Sequence, residues 1–314
     1  MQFSIALSIL LFGLSFLTTF LSTERFIRKL TRNEFVVPDV YKNGKTVPTM
    51  GGLAIIAGVL VSLIVSIFLV LNVENLLIFY FIIFTFAMFG LLDDLVNVGR
   101  PLKIFAPFLM AIPIALLNID TTLWVVLTQI ELGPFYSYII APLYLMVVVN
   151  LVNMHSGYNG LQSGLSTLII FFLTLKAVII HSYDEIVYIA PIYGALVAFL
   201  WYNKYPSKIL EGNIGSLAVG AAIGGYIIML NAEVYGAIIL IPHIVNFLMY
   251  TYWRVKKVQD SKFGRIREDG TLDVPNPLTL KWVLPYYRRM TEQQATYVMY
   301  GLTIMCGIIG LVVV

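Results

Sequence analysis

Nearly all the positive charge of this chain sits on alternate connections between uncharged apolar runs, and that segregation decides what it can fold into. Runs without Asp, Glu, Lys or Arg, and near the 17–25 residues that a bilayer requires, fall at roughly 2–22, 48–72, 75–92, 186–202, 214–232, 234–252 and 295–314. Three less regular runs lie at 103–119, broken by Pro107 and Pro113, at 136–153, and at 161–181, which carries Lys176. The first connection holds Arg25, Arg28, Lys29, Arg32, Lys42 and Lys45, the third Arg100 and Lys103, and the seventh Lys204 and Lys208. The ninth holds the nine basic residues from Arg254 to Arg289, Lys257 and Lys262 among them, and only Lys176 falls elsewhere. The even-numbered connections carry Glu74, Asp120, Glu131, Asp184, Glu185 and Glu233 and no cation. Lys and Arg collect on the cytoplasmic side of membrane proteins, and a span count wrong by one would scramble this pattern. The expectation is therefore an all-α polytopic membrane protein of about ten transmembrane helices. Both termini lie outside, and the basic loops are cytoplasmic.

Composition agrees: 59% of residues are apolar and 12% charged, where a soluble domain carries about 25% charged residues. The first run has no cation before it and several after it, so it reads as an N-out membrane helix rather than a cleaved signal. Residues 1–314 form one integral membrane domain, with the cytoplasmic connection 254–291 as a substrate-recognition insert. Cys306, the single cysteine, leaves no intramolecular disulfide and no Cys-based metal site. Short β hairpins are expected in loops. Thr121 to Phe135 is β-rich, and Arg265 to Val274 reads as two short strands around an Asp269-Gly270 turn. Arg265 and Arg267 then share one strand face. Arg25 to Phe35 reads as an interfacial amphipathic turn, and Thr291 to Gln294 as a capping box opening the last helix.

Every polar cluster falls on the basic face. Asp93 and Asp94 end the uncharged run 75–92, with Asn97, Arg100 and Lys103 close behind. Each ionised carboxylate inside hydrocarbon costs roughly 2.5–3.5 kcal/mol on insertion scales, so the pair belongs at the membrane boundary. Paired carboxylates with nearby cations suit a divalent metal and a phosphate-bearing substrate; the bland alternative is a polar helix cap. Removing either aspartate is expected to leave stability unchanged or slightly raised. On the fifth connection Asn150, Asn153, Ser156 and Asn159 offer neutral donors and acceptors suited to sugar hydroxyls, acetamido groups or a nucleobase, or equally to capping and turns. His155 reads as a hydrogen-bonding neighbour rather than a metal ligand. Asn203, Tyr205-Pro206-Ser207-Lys208 and Glu211-Gly212-Asn213-Ile214-Gly215-Ser216 follow, a polar, Gly-flanked helix opening that could take a metal or an anion. A transporter would place polar groups at mid-bilayer on broken helices, and here that region is nearly free of charge.

In this order the motifs resemble the polyprenyl-phosphate N-acetylhexosamine-1-phosphate transferases, the glycosyltransferase family 4 type of ten-helix membrane enzyme. Pro48-Thr-Met-Gly-Gly52 is similar to that family's approach to its second helix. Gly90-Leu-Leu-Asp93-Asp94 with Asn97 and Lys103 resembles its aspartate-pair motif. Asn150-Leu-Val-Asn153 through Asn159-Gly160-Leu161 and Asn203 with Tyr205-Pro206-Ser207-Lys208 resemble its two later motifs. Asn159, Pro242-His243-Ile-Val-Asn246-Phe247-Leu248 and Arg265-Ile-Arg267 are similar to the archaeal and eukaryotic dolichyl-phosphate branch. Where the family has Gly-Asp-x-Gly, this chain has Gly212-Asn213-Ile214-Gly215.

The resemblance implies transfer of N-acetylglucosamine 1-phosphate from a UDP-N-acetylhexosamine donor to a polyprenyl or dolichyl phosphate, with release of UMP. It implies Mg²⁺, with Mn²⁺ as a substitute, with Asp93, Asp94 and the neutral Asn213 as the candidate ligands: Asp93 or Asp94 holds the ion with Asn213, the other aspartate orients or deprotonates the lipid phosphate, and Lys103 stabilises phosphate charge. Asn97, Asn150, Asn153, Asn159 and Asn203 become candidates for binding substrate, and Arg265 and Arg267 for the sugar-diphosphate end. Membrane lipids are expected partners and nucleic acid is not; a homodimer is left open. Two other classes stay in view: a catalytically impaired homologue, because of Asn213, and a transporter of a lipid- or nucleotide-linked sugar.

Overall fold

The computed structural model describes residues 2–42, 45–70, 72–125, 128–256 and 263–314. Lys257 and Lys262, counted above on the ninth connection, lie outside the described residues. The helices are α1 (Gln2–Arg32), α2 (Gly52–Leu69), α3 (Val73–Val96), α4 (Arg100–Ala111), α5 (Ala141–Met154) and α6 (Leu161–Ile179). They continue with α7 (Ile186–Asn203), α8 (Gly212–Met229), α9 (Glu233–Ile239), α10 (Ile241–Val255), α11 (Leu280–Tyr287) and α12 (Glu292–Val313). Among the described residues eight helices are long and apolar enough to cross a membrane: α1, α2, α3, α5 with the turn before it, α6, α7, α8 and α12. The chain is thus a mostly helical, multi-pass membrane protein.

Two expected spans depart from straight helices. The run 234–252 is α9 and α10, bent by 64°. Pro242 stands in the first turn of α10, and its missing N–H and ring prevent a continuous hydrogen-bond ladder across the junction. The run 103–119 is α4, followed by a 3₁₀ turn over Ile112–Leu116 that contains Pro113. In the other direction, the amphipathic stretch from Arg25 is no separate turn, because α1 continues unbroken to Arg32.

Three antiparallel hairpins occupy the loops. β1 (Val36–Pro38) pairs with β2 (Thr46–Pro48), a pairing the sequence does not announce. β3 (Thr122–Val125) with β4 (Thr128–Glu131), and β5 (Arg265–Ile266) with β6 (Leu272–Asp273), lie where the sequence predicts them. The Thr291–Gln294 capping box is formed on both sides.

The bundle is built around α8, whose residues from Ile214 to Ile228 are all buried. Its glycines let neighbours close in. A Cβ on Gly52 would lie 2.2 Å from the Gly215 nitrogen, and one on Gly90 would lie 2.3 Å from the Asn213 carbonyl oxygen. These two contacts bring the start of α2 and the end of α3 to the first turn of α8, so the aspartate pair meets the Gly212-Asn213 opening.

Candidate active site

Asp93 and Asp94 ride on the last turn of α3, which Asn97 ends by turning left-handed at φ 49° and donating its N–H to the Asp93 carbonyl. Asp93 is buried. Its Oδ1 accepts from the Val98 N–H at 2.9 Å and pairs with Lys103 Nζ at 2.7 Å. The Lys103 side chain is 37% exposed, so the ammonium neutralises Asp93 while still reaching solvent.

Asp94 reaches the opening turn of α8. Its Oδ1 accepts from the Asn213 N–H at 2.9 Å and its Oδ2 from the Ile214 N–H at 3.0 Å. These are two of the donors that the first turn of a helix leaves without an intrahelical partner, so Asp94 caps α8 from a distant part of the chain. Gly212, left-handed at φ 75°, makes room: a Cβ there would stand 2.7 Å from Asp94 Oδ2. The Asn213 side chain is a further hydrogen-bond partner of Asp94.

Next to this centre, Ser216 donates to Asn153 Oδ1 at 2.7 Å and joins α5 to α8. Ser216 closes the Glu211–Ser216 motif in the sequence, but its tie to Asn153 has no local signal there. Asn150 turns back along its own helix to the Met146 carbonyl at 2.9 Å.

Glu211, the carboxylate nearest in sequence, does not restore the charge that Asn213 lacks, because the structure turns it away. Residues two apart on a helix point about 200° apart. The Glu211 stem lies over Gly215, at the crossing with Gly52, whereas the Asn213 backbone abuts Gly90 of α3. The Glu211 carboxyl is buried with neither oxygen hydrogen-bonded among the described residues, and burial pushes it up to about 8. Nor do any three His, Cys, Asp or Glu side chains among the described residues group as a metal site. The side-chain oxygens at this junction are those of Asp93, Asp94 and Asn213.

Other candidate residues are engaged elsewhere. Asn159 is buried. Its Oδ1 accepts from the Ser207 N–H at 2.7 Å and from Lys42, its Nδ2 donates to Asp39 at 3.2 Å, and its N–H donates to Glu292 at 2.5 Å. Lys42 also pairs with Asp39 at 2.6 Å. This knot fastens the first, fifth and seventh connections to α12, and Asp39, Lys42 and Glu292 carried no recognisable signal. Asn203 is likewise consumed, accepting from Ser163 at 2.6 Å and donating to the Ile209 carbonyl at 2.8 Å.

Two local expectations are corrected. The strand with Arg265 stops at Ile266, so Arg265 and Arg267 do not share a strand face. Arg267 instead closes its own hairpin through the Leu272 carbonyl and Asp273, both at 2.6 Å. His155 is no hydrogen-bonding neighbour: neither ring nitrogen has a partner among the described residues, and the ring stands edge-on to His243 at 4.6 Å.

Residues 76–231, which run from α3 through α8 and contain the whole carboxylate centre, match the glycosyl transferase family 4. The match spans just under half of the chain, and over that stretch the chain is similar to the family. A relative from Saccharolobus solfataricus is 29% identical over 95% of this chain and 94% of its own length. One from Sulfolobus acidocaldarius is 29% identical over 95% of this chain and 93% of its own. Both bear the provisional name UDP-N-acetylglucosamine–dolichyl-phosphate N-acetylglucosaminephosphotransferase. A phospho-N-acetylmuramoyl-pentapeptide-transferase from Clostridium acetobutylicum is 27% identical over 77% of this chain and 83% of its own.

Proposed function

We propose that the chain transfers N-acetylglucosamine 1-phosphate from UDP-N-acetylglucosamine to dolichyl phosphate or a similar polyprenyl phosphate. A lipid phosphate oxygen attacks the β-phosphorus of the donor, and the bond from that phosphorus to the bridging oxygen breaks. The products are lipid diphosphate N-acetylglucosamine and UMP. The observation that carries this reading is the meeting of Asp93, Asp94, Lys103 and the opening turn of α8 on one membrane face. The names of the two archaeal relatives favour this donor and acceptor.

Phosphoryl transfer asks a protein mainly for positioning and charge neutralisation. Lys103 is held beside Asp93 and can move its ammonium onto a donor phosphate. Asp94 fixes the opening of α8, and with it Asn213 and Ser216. Asn153, tied through Ser216, faces the same opening from α5. The lipid phosphate, with a second pKa near about 6, is largely ionised at neutral pH and needs no strong base. The donor set of two carboxylates from one helical turn and an amide oxygen fits Mg²⁺ shared with substrate phosphates. Such an ion, held by Asp93, Asp94 and Asn213, would supply charge neutralisation on the diphosphate. Mn²⁺ fits the same oxygens. The segregation of basic residues supports a site that faces the cytoplasm.

A second reading, a homologue that binds substrate but turns over poorly, is favoured by one observation: Asn213 satisfies Asp94 without bringing a charge. Purified protein with UDP-N-acetylglucosamine, dolichyl phosphate and Mg²⁺ separates the two. UMP release dependent on the lipid supports the transferase, whereas donor binding without UMP supports the impaired homologue.

A further inference from the structure

We propose that the cleft between the end of α1 and the connection after α7 holds a phospholipid headgroup, with its phosphodiester between Arg28 and Lys208. The cleft encloses about 470 Å³ and is lined by Glu24 and Arg28 of α1, Pro48 of β2, Tyr202 of α7, and Ser207 and Lys208. None of its lining residues comes from α3 or α8, so it is separate from the carboxylate centre.

Its depth suits a headgroup. At 1.5 Å per residue the 31 residues of α1 run about 46 Å, against a hydrocarbon core of about 30 Å. The uncharged part ends at Thr23, which leaves Glu24 and Arg28 in the headgroup layer. The neighbouring Trp201 is exposed, with the Lys204 ammonium 3.7 Å from its ring centre. A Trp–Lys pair of this kind marks the membrane–water boundary.

Its charge suits one phosphodiester. Among the described residues neither Arg28 nor Lys208 forms an ion pair with a carboxylate. With Glu24 the wall carries a net single positive charge, which matches the single negative charge of a phosphodiester. The guanidinium fork of Arg28 suits two phosphate oxygens.

Native mass spectrometry of the delipidated full chain with added dioleoyl phosphatidylglycerol tests the proposal. One copy should stay bound, and the Arg28→Gln/Lys208→Gln pair should weaken its retention by about tenfold or more. The Arg25→Gln/Lys29→Gln pair, on the same helix but outside the cleft, should retain it. Equal retention by both pairs, or equal loss, would overturn the proposal. Glu24→Gln, which subtracts the opposing charge, should tighten retention, and no change would count against the site. Glycerophosphoglycerol, the same headgroup without tails, should not be retained; equal retention would make this a site for soluble phosphate esters and overturn the lipid assignment.

Discussion

Asp94 accepts the backbone N–H groups of both Asn213 and Ile214, at 2.9 and 3.0 Å, across 119 and 120 residues of chain. The carboxylate therefore has a structural task as well as a chemical one. Asp94→Ala should cost about 1–2 kcal/mol, the scale of a lost N-cap, and lower turnover by orders of magnitude. Asp94→Asn keeps an acceptor oxygen and should recover much of the stability but not the turnover. Thermal unfolding and UMP release on the same preparations check both. This corrects the expectation from sequence that removing Asp94 leaves stability unchanged or raised.

Lys103 and Asp93 give a second test. Lys103→Ala leaves a buried carboxylate with the Val98 N–H as its one remaining partner among the described residues, at a cost of about 1–3 kcal/mol, toward the lower end because the lysine is partly exposed. Lys103→Arg should keep the pairing. If Lys103 meets the donor phosphates, Lys103→Ala also raises the donor KM more than the lipid KM. A purely structural pair would lower stability and leave both KM values alone.

Much of the fold was legible because its signals are local. Charge segregation marks the spans, Asp269-Gly270 marks a hairpin, and Thr291 with Gln294 marks a cap. Asp93, Asp94 and Lys103 stand out as charges at the end of an apolar run. What stayed hidden depends on contacts distant in sequence. Nothing near Asn159 says that Lys42, Asp39, Ser207 and Glu292 will use its polar atoms, and nothing near Asp94 points to α8. The bend between α9 and α10 was half visible in Pro242, but hydropathy alone reads the stretch as one span.

The Asn159 knot makes a prediction opposite to that of a substrate-reading amide. Asn159→Ala strips partners from Lys42, Asp39 and the Ser207 N–H, and should cost about 2 kcal/mol or more, seen as a lower unfolding temperature. The folded fraction should keep its donor KM. A raised KM with unchanged stability would return Asn159 to the substrate site.

Lys281 sets a pH dependence. Burial brings its ammonium down to about 8 from the ordinary 10.5, with Glu292 partly opposing, while Nζ donates to the Ser156 carbonyl. Between about pH 8 and 10.5 the unfolded chain keeps a proton that the folded chain releases, so stability should rise with pH across that window. Below pH 8 both states are protonated and the contribution is flat. Unfolding midpoints of the protein and of Lys281→Gln, compared from pH 7 to 10, should differ in slope only above about pH 8.

Asn213 is where the chain departs from the family it resembles. Replacing it with Asp adds a carboxylate beside Asp94. Asn213→Asp should therefore lower the Mg²⁺ concentration needed for half-maximal turnover. It should also lower stability in the absence of metal, as two carboxylates repel. Mg²⁺ titration of UMP release and of unfolding temperature reads both. No change in either would remove position 213 from the metal's surroundings.

The central claim, transfer of a sugar with its phosphate, is tested most directly by a doubly labelled donor. UDP-N-acetylglucosamine carrying ³²P at the β-phosphorus and ¹⁴C in the sugar is incubated with the purified protein, dolichyl phosphate and Mg²⁺, and the lipid is extracted. Both labels should enter the lipid in equal molar amounts, with unlabelled UMP left in water, and Asp93→Ala should abolish the transfer. Transfer of ¹⁴C without ³²P, with labelled UDP released, would contradict the account.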